Sequence, residues 1–245
     1  MTMALDRDTT FTWNGHACFE ITSPGGKALV LDPFFANPNS PKSADQVERC
    51  DVLLVTHGHF DHMGDAVAIA SRFRPAWPCI HEMSLWLGRR LPGGTDATIG
   101  MNKGGTVEVA GIKVTMVHAD HSAGDWNSGG ETTLYLGDPV GFILEFENGF
   151  RVYAAGDTDP FSEMAFIREL HAPELAILPI GGHYTMGPSG AALATEMLGV
   201  RHVIPAHYGT FPVLTGTPDE LRAELAKRGL GDVEVHAPRP GERVS

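Results

Sequence analysis

One six-residue window places three histidines and an aspartate directly after an apolar run. The window is His57-Gly58-His59-Phe60-Asp61-His62, and the run before it is Val52-Leu53-Leu54-Val55-Thr56. In an extended segment, side chains two residues apart point the same way, about 6 to 7 Å apart. His57 and His59 can therefore bind one metal ion, and a bend in the chain leaves Asp61 and His62 to face a second. The spacing predicts a metal site at the end of a buried strand.

The alternative interpretation of this window is a solvated, histidine-rich loop. With 12 histidines in 245 residues, chance places so dense a pattern in roughly one of several hundred sequences. The metal site is therefore favoured. Gly58 and Gly64 flank the bend and can adopt backbone angles that a Cβ disfavours, so the bend is compatible with low strain.

Length and charge limit what the chain can be. At 245 residues and 42% hydrophobic content it can bury a full core, and we expect a single domain spanning residues 1–245. Lys and Arg total 18 against 30 Asp and Glu, a formal charge of -12. This balance disfavours nucleic acid and anionic membranes as partners. We expect a small-molecule substrate, and homo-oligomer formation stays open.

The cysteines and the N-terminal residues indicate a reducing compartment. Cys18, Cys50 and Cys79 are odd in number and form no Cys-x-x-Cys pair, so neither a disulfide framework nor a thiolate zinc site is indicated. Residues 1–8 lack a basic head followed by an apolar stretch, and no later segment reaches the length of a membrane span. We therefore expect a cytoplasmic protein.

Apolar, β-branched runs separated by Gly, Pro and Asp predict strands. They are Lys27 to Leu31, Val52 to Thr56, Thr106 to Val109, Lys113 to Val117, Gly141 to Phe146, Arg151 to Ala155, Leu175 to Ile180 and Val203 to Pro205. Helical patterns cover Asp65 to Phe73, Met83 to Arg90, Phe161 to Leu170, Ser189 to Leu198 and Pro218 to Arg228. Thr217 and Glu220 have capping-box spacing before the last helix, and Gly229 follows it. The mixture predicts a layered α and β fold.

Five predicted strands run straight into a residue that can serve a site. These residues are His57, His118 or His121, Asp157, His183 and His207. Strand ends that meet at one edge are how layered enzymes assemble a metal centre from distant parts of the chain. We favour His121 over His118, because the alternation of Val114 and Met116 predicts a buried His118. His81, His171, His202 and His236 have no partner motif, and we interpret them as surface or structural residues.

The motifs in this order resemble those of a known superfamily. His57-x-His59-x-Asp61-His62, His121-Ser122, Ala155-Gly156-Asp157-Thr158 and Ala206-His207-Tyr208-Gly209 look like the successive metal motifs of the metallo-β-lactamase superfamily. The resemblance runs from about Trp13 to Phe211. Three segments are similar to a branch of metal-dependent hydrolases related to L-ascorbate-6-phosphate lactonase: Trp13 to Ala17, Pro179 to Pro188 and His207 to Phe211.

The resemblance implies an α+β fold, a four-layer αββα sandwich with two central mixed sheets and the metals at one sheet edge. It implies two divalent ions, Zn(II) or Mn(II), with Fe(II) or Co(II) as alternatives, since all ligands are nitrogen or oxygen. The first ion takes His57, His59 and His121, the second takes Asp61, His62 and His207, and Asp157 bridges them. The sequence departs from the pattern at Ala154, where a histidine is expected, and in a long polar loop, Ser122 to Asp138, which contains Trp126.

The implied activity is hydrolysis of a small ester, lactone or phosphate-bearing metabolite. Two cations that share one water lower its pKa toward neutrality, and the hydroxide attacks the scissile group. Asp61 is expected to orient that hydroxide. We expect His183 to stabilise the oxyanion or protonate the leaving group, Tyr208 to contact substrate, and His16 either to contact substrate or to support the ligands from behind. Two alternatives remain, a nuclease or phosphodiesterase of the same fold and a non-catalytic metal-binding protein.

Overall fold

A computed structural model describes residues 5, 7–125 and 133–245. Trp126 of the long polar loop therefore lies outside the described residues. The described strands are β1 (Thr10–Trp13), β2 (Phe19–Thr22), β3 (Ala28–Leu31), β4 (Val52–Leu54), β5 (Pro78–Ile80), β6 (Ile99–Met101), β7 (Thr106–Val109), β8 (Ile112–His118), β9 (Val140–Glu145), β10 (Arg151–Ala154), β11 (Leu175–Pro179), β12 (His202–Ala206), β13 (Glu234–Val235) and β14 (Arg243–Val244). The described α-helices are α1 (Phe60–Met63), α2 (Ala66–Phe73), α3 (His81–Leu87), α4 (Met164–His171), α5 (Pro188–Leu198) and α6 (Pro218–Lys227).

The described strands form two large sheets and one small one. The first sheet has five strands in the order β14-β1-β2-β3-β4, and the second has seven in the order β13-β12-β11-β10-β9-β8-β7. Both are mixed. In the first, β3 and β4 pair in parallel while β1, β2 and β3 pair antiparallel. In the second, β10 and β11 pair in parallel while β9 and β10 pair antiparallel. The parallel pair β5 and β6 stands apart as a two-stranded sheet.

Alternating side chains divide the seven-stranded sheet between two cores. On β10, Val152 and Ala154 belong to a core shared with the five-stranded sheet, and Tyr153 belongs to a core shared with helices α4, α5 and α6. On β11, Ile177 and Leu178 divide in the same way. This is the period of two expected of a strand buried on both faces. Helices α2 and α3 bury further side chains, such as those of Ile69 and Met83, in the first core. The chain therefore forms the expected four-layer αββα sandwich.

Strand direction brings distant loops to one edge of each sheet. β10, β11 and β12 are parallel in register, and β8 points the same way because β9 runs antiparallel to both β8 and β10. In the five-stranded sheet, β1 and β3 share a direction because β2 runs antiparallel to both, and β4 is parallel to β3. The C-terminal ends of β8, β10, β11 and β12 thus lie at one edge, and those of β1, β3 and β4 lie at one edge of the other sheet.

The predicted strands and helices agree with the structure to within about three residues at each end. Strands β1, β2, β5, β6, β13 and β14 and the one-turn helix α1 are not among the predicted elements. Each has only two to four residues and offers too short a run for a periodic pattern. Among the described residues, every helix is too short or too polar to span a bilayer.

The capping box predicted before the last helix is present. The Thr217 hydroxyl accepts a hydrogen bond from the Glu220 backbone N–H at 3.2 Å, and the Glu220 carboxylate accepts one from the Thr217 N–H at 2.9 Å. The helix that follows, α6, buries Leu221 and Leu225 against the helix-facing core.

We expect Thr217→Ala to lower the free energy of unfolding by about 0.5–2 kcal/mol, because the helix loses an N-terminal acceptor at an exposed position. Urea unfolding followed by circular dichroism measures this, with Thr217→Ser as the control that keeps the hydroxyl. Equal unfolding midpoints for the Ala and Ser variants would contradict the prediction.

Candidate metal centre

The candidate ligands lie on the loops that follow strands sharing one direction. His57 follows β4 and leads into α1, which carries Asp61 and His62. His121, Asp157 and His207 follow β8, β10 and β12 of the other sheet. Because these strand ends meet at one edge of the sandwich, residues up to 150 positions apart in sequence come together there.

The first group of candidate ligands is His57, His59 and His121. Their ring nitrogens all lie within 4.8 Å of one another. The closest pair is His57 Nε2 and His59 Nδ1, at 2.9 Å. The other nitrogen of His57, Nδ1, is 3.0 Å from the Thr56 hydroxyl, which leaves Nε2 directed at the group. This is the set that the sequence predicts for the first ion.

The second group contains Asp61, His62 and His207, and the structure adds His16. Ligand atoms of these four residues lie within 4.8 Å of one another. His207 Nε2 is 3.8 Å from Asp61 Oδ2. His16 Nε2 is closer to the same oxygen, at 3.0 Å. The predicted second set is therefore assembled, with a fourth imidazole behind Asp61.

Asp157 lies between the two groups. Its Oδ2 atom is 3.6 Å from His121 Nε2 and 4.0 Å from His57 Nε2 on one side, and 3.1 Å from His207 Nε2 on the other. Its Oδ1 atom is 3.3 Å from His62 Nε2. One carboxylate thus reaches both groups, as a bridging ligand must.

Several buried polar atoms here lack a hydrogen-bond partner among the described residues. They are His62 Nε2, Asp157 Oδ1 and both ring nitrogens of His207. An unpaired buried polar atom costs about 1–3 kcal/mol, so such atoms collect where a ligand satisfies them. Imidazole nitrogens and carboxylate oxygens are ligands for divalent transition metals. The residues therefore fit a metal centre.

Burial and charge set different protonation states in the two groups. Burial lowers the pKa of His57 well below its usual value and also lowers the pKa of His59 and of His121. These rings are neutral at pH 7 and offer lone pairs. For His62 and His207, burial is outweighed by the Asp157 carboxylate, which raises the pKa of His62 well above its usual value and that of His207 to about 9.

The two carboxylates remain ionised although both are largely buried. Burial alone would raise the pKa of Asp157, but the His207 and His62 imidazoles beside it hold that pKa well below its usual range. Burial acts on Asp61 in the same direction and is outweighed by the hydrogen bond with His16 and by the nearby imidazoles of His207 and His62, so the pKa of Asp61 is also lowered. Both residues therefore present negative charge to a cation.

Asp32 supports the site and was missed in the sequence. It follows β3, is 1% exposed, and accepts hydrogen bonds from the Thr56 N–H and hydroxyl, both at 2.8 Å. His62 Nδ1 lies 2.9 Å from Asp32 Oδ2, which leaves His62 Nε2 to face Asp157. A carboxylate behind a ligand imidazole fixes its tautomer and orientation. The signal was available, since Asp32 directly follows the predicted strand Lys27 to Leu31.

His16 lies behind the site and not on its surface. It is fully buried, with Nε2 on Asp61 and Nδ1 3.0 Å from the Thr210 hydroxyl. Burial lowers the pKa of His16 to about 4, so the ring is neutral and donates one of these hydrogen bonds. Among the described residues the structure gives His16 the contacts of a positioning residue, which is one of the two roles that the sequence left open.

Tyr208 and His183 are not among the described residues that line the cavity over the candidate ligands. Tyr208 stacks on Trp13, with ring centroids 5.0 Å apart, and does not line the cavity over the site. His183 is exposed and packs edge-on against Tyr184, which does line that cavity. His183 therefore belongs to the rim of the cavity.

The expected burial of His118 is wrong. His118 is exposed and packs against Phe161, where the alternation of β8 predicted burial. Gly58 and Gly64 do not adopt positive φ angles. A Cβ on Gly58 would lie 2.7 Å from the Leu136 side chain, so this glycine allows close packing instead of an unusual turn.

The loops around the site are held in strained conformations. His16, Asp32, His183 and His207 are four of the eight non-glycine residues with positive φ in the described part of the chain. Gly156, with φ of 65°, has no room for a Cβ, which would lie 2.7 Å from the Thr56 side chain. Such conformations persist where the surrounding structure fixes them, most often at functional sites.

A cavity of about 500 Å³ opens over the two groups. Candidate ligands form its floor, and its walls come largely from apolar and aromatic side chains: Phe60, Tyr184, Phe211 and Val213. The volume falls in the range of small-molecule sites, about 300–1,000 Å³.

Comparison with known proteins gives results that agree with this geometry. Residues 22–208 match the Beta-lactamase superfamily domain. The chain is 45% identical over 237 residues to the UPF0173 metal-dependent hydrolase of Rubrobacter xylanophilus. The aligned region covers 96% of each chain. It is 47% identical over 235 residues to the corresponding metal-dependent hydrolase of Koribacter versatilis, covering 96% of this chain and 97% of the relative.

A solved structure is similar over nearly the full length. It is that of Igni18, described as a novel metallo hydrolase from the hyperthermophilic archaeon Ignicoccus hospitalis, with a TM-score of 0.84 and 36% sequence identity. The similarity covers 96% of this chain and 97% of that one.

We expect Asp32→Asn to weaken metal binding about 10–100-fold, because the amide cannot hold both Thr56 and the His62 ring as the carboxylate does. Metal content after dialysis against graded chelator concentrations measures this. Asp51→Asn is the matched control, since Asp51 also accepts a backbone hydrogen bond, from Ala28, but lies outside the site. Equal metal retention in the two variants would show that Asp32 does not support the ligands.

Proposed function

The chain belongs to the metallo-β-lactamase superfamily and is a metal-dependent hydrolase, and from this premise we propose that it binds two divalent ions and hydrolyses a small, uncharged ester or lactone. The observation that carries the proposal is the position of Asp157 between two groups of candidate ligands. A single ion would use one group and leave buried carboxylate and imidazole atoms of the other unpaired.

The proposed ligands are those that the sequence indicated. His57, His59 and His121 would hold one ion, Asp61, His62 and His207 the other, and Asp157 both. Nitrogen and oxygen donors suit Zn(II) or Mn(II), with Fe(II) or Co(II) as alternatives. Bound ions of this kind lower the pKa of a shared water and polarise the scissile oxygen.

The residues of the chain fix the geometry in which that chemistry takes place. Asp32 holds the His62 ring with Nε2 toward Asp157, and Thr56 holds the His57 ring through Nδ1. His16 holds the Asp61 carboxylate through Oδ2. We propose that the remaining oxygen of Asp61 orients the attacking water, because Asp61 also lines the cavity. Groups held this firmly need little reorganisation when the substrate reacts.

The cavity supports an uncharged substrate with an apolar part. Among the described residues that line it, none is Lys or Arg. The sequence of residues 126–132, WNSGGET, also contains neither. A phosphate-bearing substrate would lack the cationic side chains that usually bind phosphate. With a net charge of -12, a nuclease activity is disfavoured for the same reason.

The proposed lactone substrate follows from the resemblance to the L-ascorbate-6-phosphate lactonase branch. The cavity of this chain, however, favours a lactone without a phosphate group. A phosphorylated lactone would need a cation on the wall, whereas Phe60, Phe211 and Val213 favour an alkyl or aryl group. We therefore propose that the carbonyl faces the ligand floor and the apolar group faces these walls.

The test begins with protein purified without added metal, whose elemental analysis should give about two ions per chain. We expect it to hydrolyse neutral alkyl and aryl esters or lactones, to lose this activity on chelation, and to recover it with one of the four metals. We expect Asp157→Ala to lower turnover more than about 100-fold, and Asp51→Ala to leave it unchanged.

Two outcomes would reject the proposal. Hydrolysis that persists after complete chelation would show that the reaction does not depend on metal. A faster reaction with phosphodiesters than with neutral esters would reject the proposed ester or lactone substrate. The alternative function, a nuclease or phosphodiesterase of the same fold, would then be preferred.

We also propose that His183 protonates the leaving group or stabilises the oxyanion from the rim of the cavity, next to Tyr184. His183→Gln should then lower kcat about 100-fold, with metal content unchanged. His171→Gln is the control, since His171 is a partly exposed histidine at the end of α4. Full turnover in His183→Gln at normal metal content would assign His183 a purely structural role.

A further inference from the structure

Three side chains with metal-binding atoms lie together at the opposite end of the seven-stranded sheet. They are His202, Glu234 and His236, whose ligand atoms all lie within 4.8 Å of one another. His202 begins β12, whereas His207 of the candidate metal centre follows its end. Five residues of strand span about 16 Å. The cluster is therefore separate from the candidate metal centre.

Strand pairing determines how the three side chains meet. β12 and β13 are parallel, with His202 paired to Glu234 and Val203 paired to Val235. Paired residues point to the same face, and so does His236, two residues beyond Glu234. Val203 and Val235 face the helix-side core, so the three polar side chains share the other face.

The distances resemble those of a tetrahedral site. His202 Nδ1 is 3.1 Å from His236 Nε2, and Glu234 Oε2 is 3.9 Å from the first and 3.8 Å from the second. In a tetrahedral zinc site with bonds of about 2.0–2.1 Å, ligand atoms are about 3.3 Å apart. A shift of the Glu234 side chain by about half an ångström completes this geometry, and the carboxylate is 63% exposed.

The three side chains differ in exposure in a way that suits a binding site. The His236 side chain is 4% exposed and the His202 side chain 23% exposed, so the two imidazoles are held by the sheet. Glu234 is exposed and can close over an ion. Two imidazoles and a carboxylate suit Zn(II), and solvent can supply the fourth ligand.

We propose that His202, Glu234 and His236 form a structural zinc site that fastens the edge strand β13 to β12. β13 has only two residues, and the chain that leaves it ends in β14, which pairs with β1 of the other sheet. An ion that holds β13 in place therefore also anchors the segment that joins the two sheets. The sequence did not indicate this site, because its histidines are 34 residues apart and no motif links them.

The test uses the full chain with Zn(II) as the probe. We expect His202→Gln and Glu234→Gln each to bind one zinc equivalent fewer than wild type after dialysis at about 10 μM zinc. Both substitutions are at accessible side chains, which protects the fold. The rise in melting temperature that zinc produces should be smaller in both variants, and His171→Gln should behave as wild type.

A second background isolates this site from the candidate metal centre. In Asp157→Ala, where that centre is weakened, we expect the remaining tightly bound zinc to disappear when His202→Gln is added. Equal zinc content with and without His202→Gln, or binding that saturates only at about millimolar zinc, would overturn the proposal. Because hydrolysis is not measured, this result is independent of the proposed function.

Discussion

The Asp157 carboxylate, held between four imidazoles, is the interaction on which the rest of the site depends. It is 3% exposed, and its nearest cationic partners are the protonated rings of His62 and His207. A buried carboxylate is tolerable only when opposite charge lies beside it. In the protein without metal, protons on these two rings supply part of that charge. In the proposed metal-bound state, ions would take the same position and displace the protons, so metal binding and proton release would be coupled.

Strand direction and local strain both serve to bring Asp157 and its neighbours together. The ligands follow strands that point to one edge of the sandwich, and the loops that carry them turn sharply at His16, Asp32 and His207. These turns are held by buried hydrogen bonds, such as those from Thr56 to Asp32 and from the His207 N–H to the His16 carbonyl. The free energy that the core gains by packing thus maintains a set of side chains that would not converge by themselves.

The sequence predicted the parts of the site that have local signals. The window from His57 to His62 is dense enough to be recognised alone, and Asp157 and His207 were found because each follows a periodic run. Asp32 carries the same signal but was overlooked. His118 was misjudged because alternation gives the face of a strand and not whether that face is covered at the strand end. Tyr208 adjoins His207 in sequence and yet stacks on Trp13, so its position next to a ligand does not by itself place its ring in the cavity.

The contrast between the floor and the walls of the cavity determines how a substrate can lie in it. With two divalent ions bound as proposed, the carboxylates of Asp61 and Asp157 would neutralise only half of the formal charge of the ions. The floor of the cavity would then be electropositive. The walls, at Phe60, Phe211 and Val213, offer no charge. An apolar group placed on the floor would displace solvent from the ions without compensation, and a charged group on the walls would be desolvated without a partner. The orientation with least cost directs the electron-rich carbonyl to the floor, where the proposed ions would also activate the nucleophile. Binding and reaction would then require the same pose.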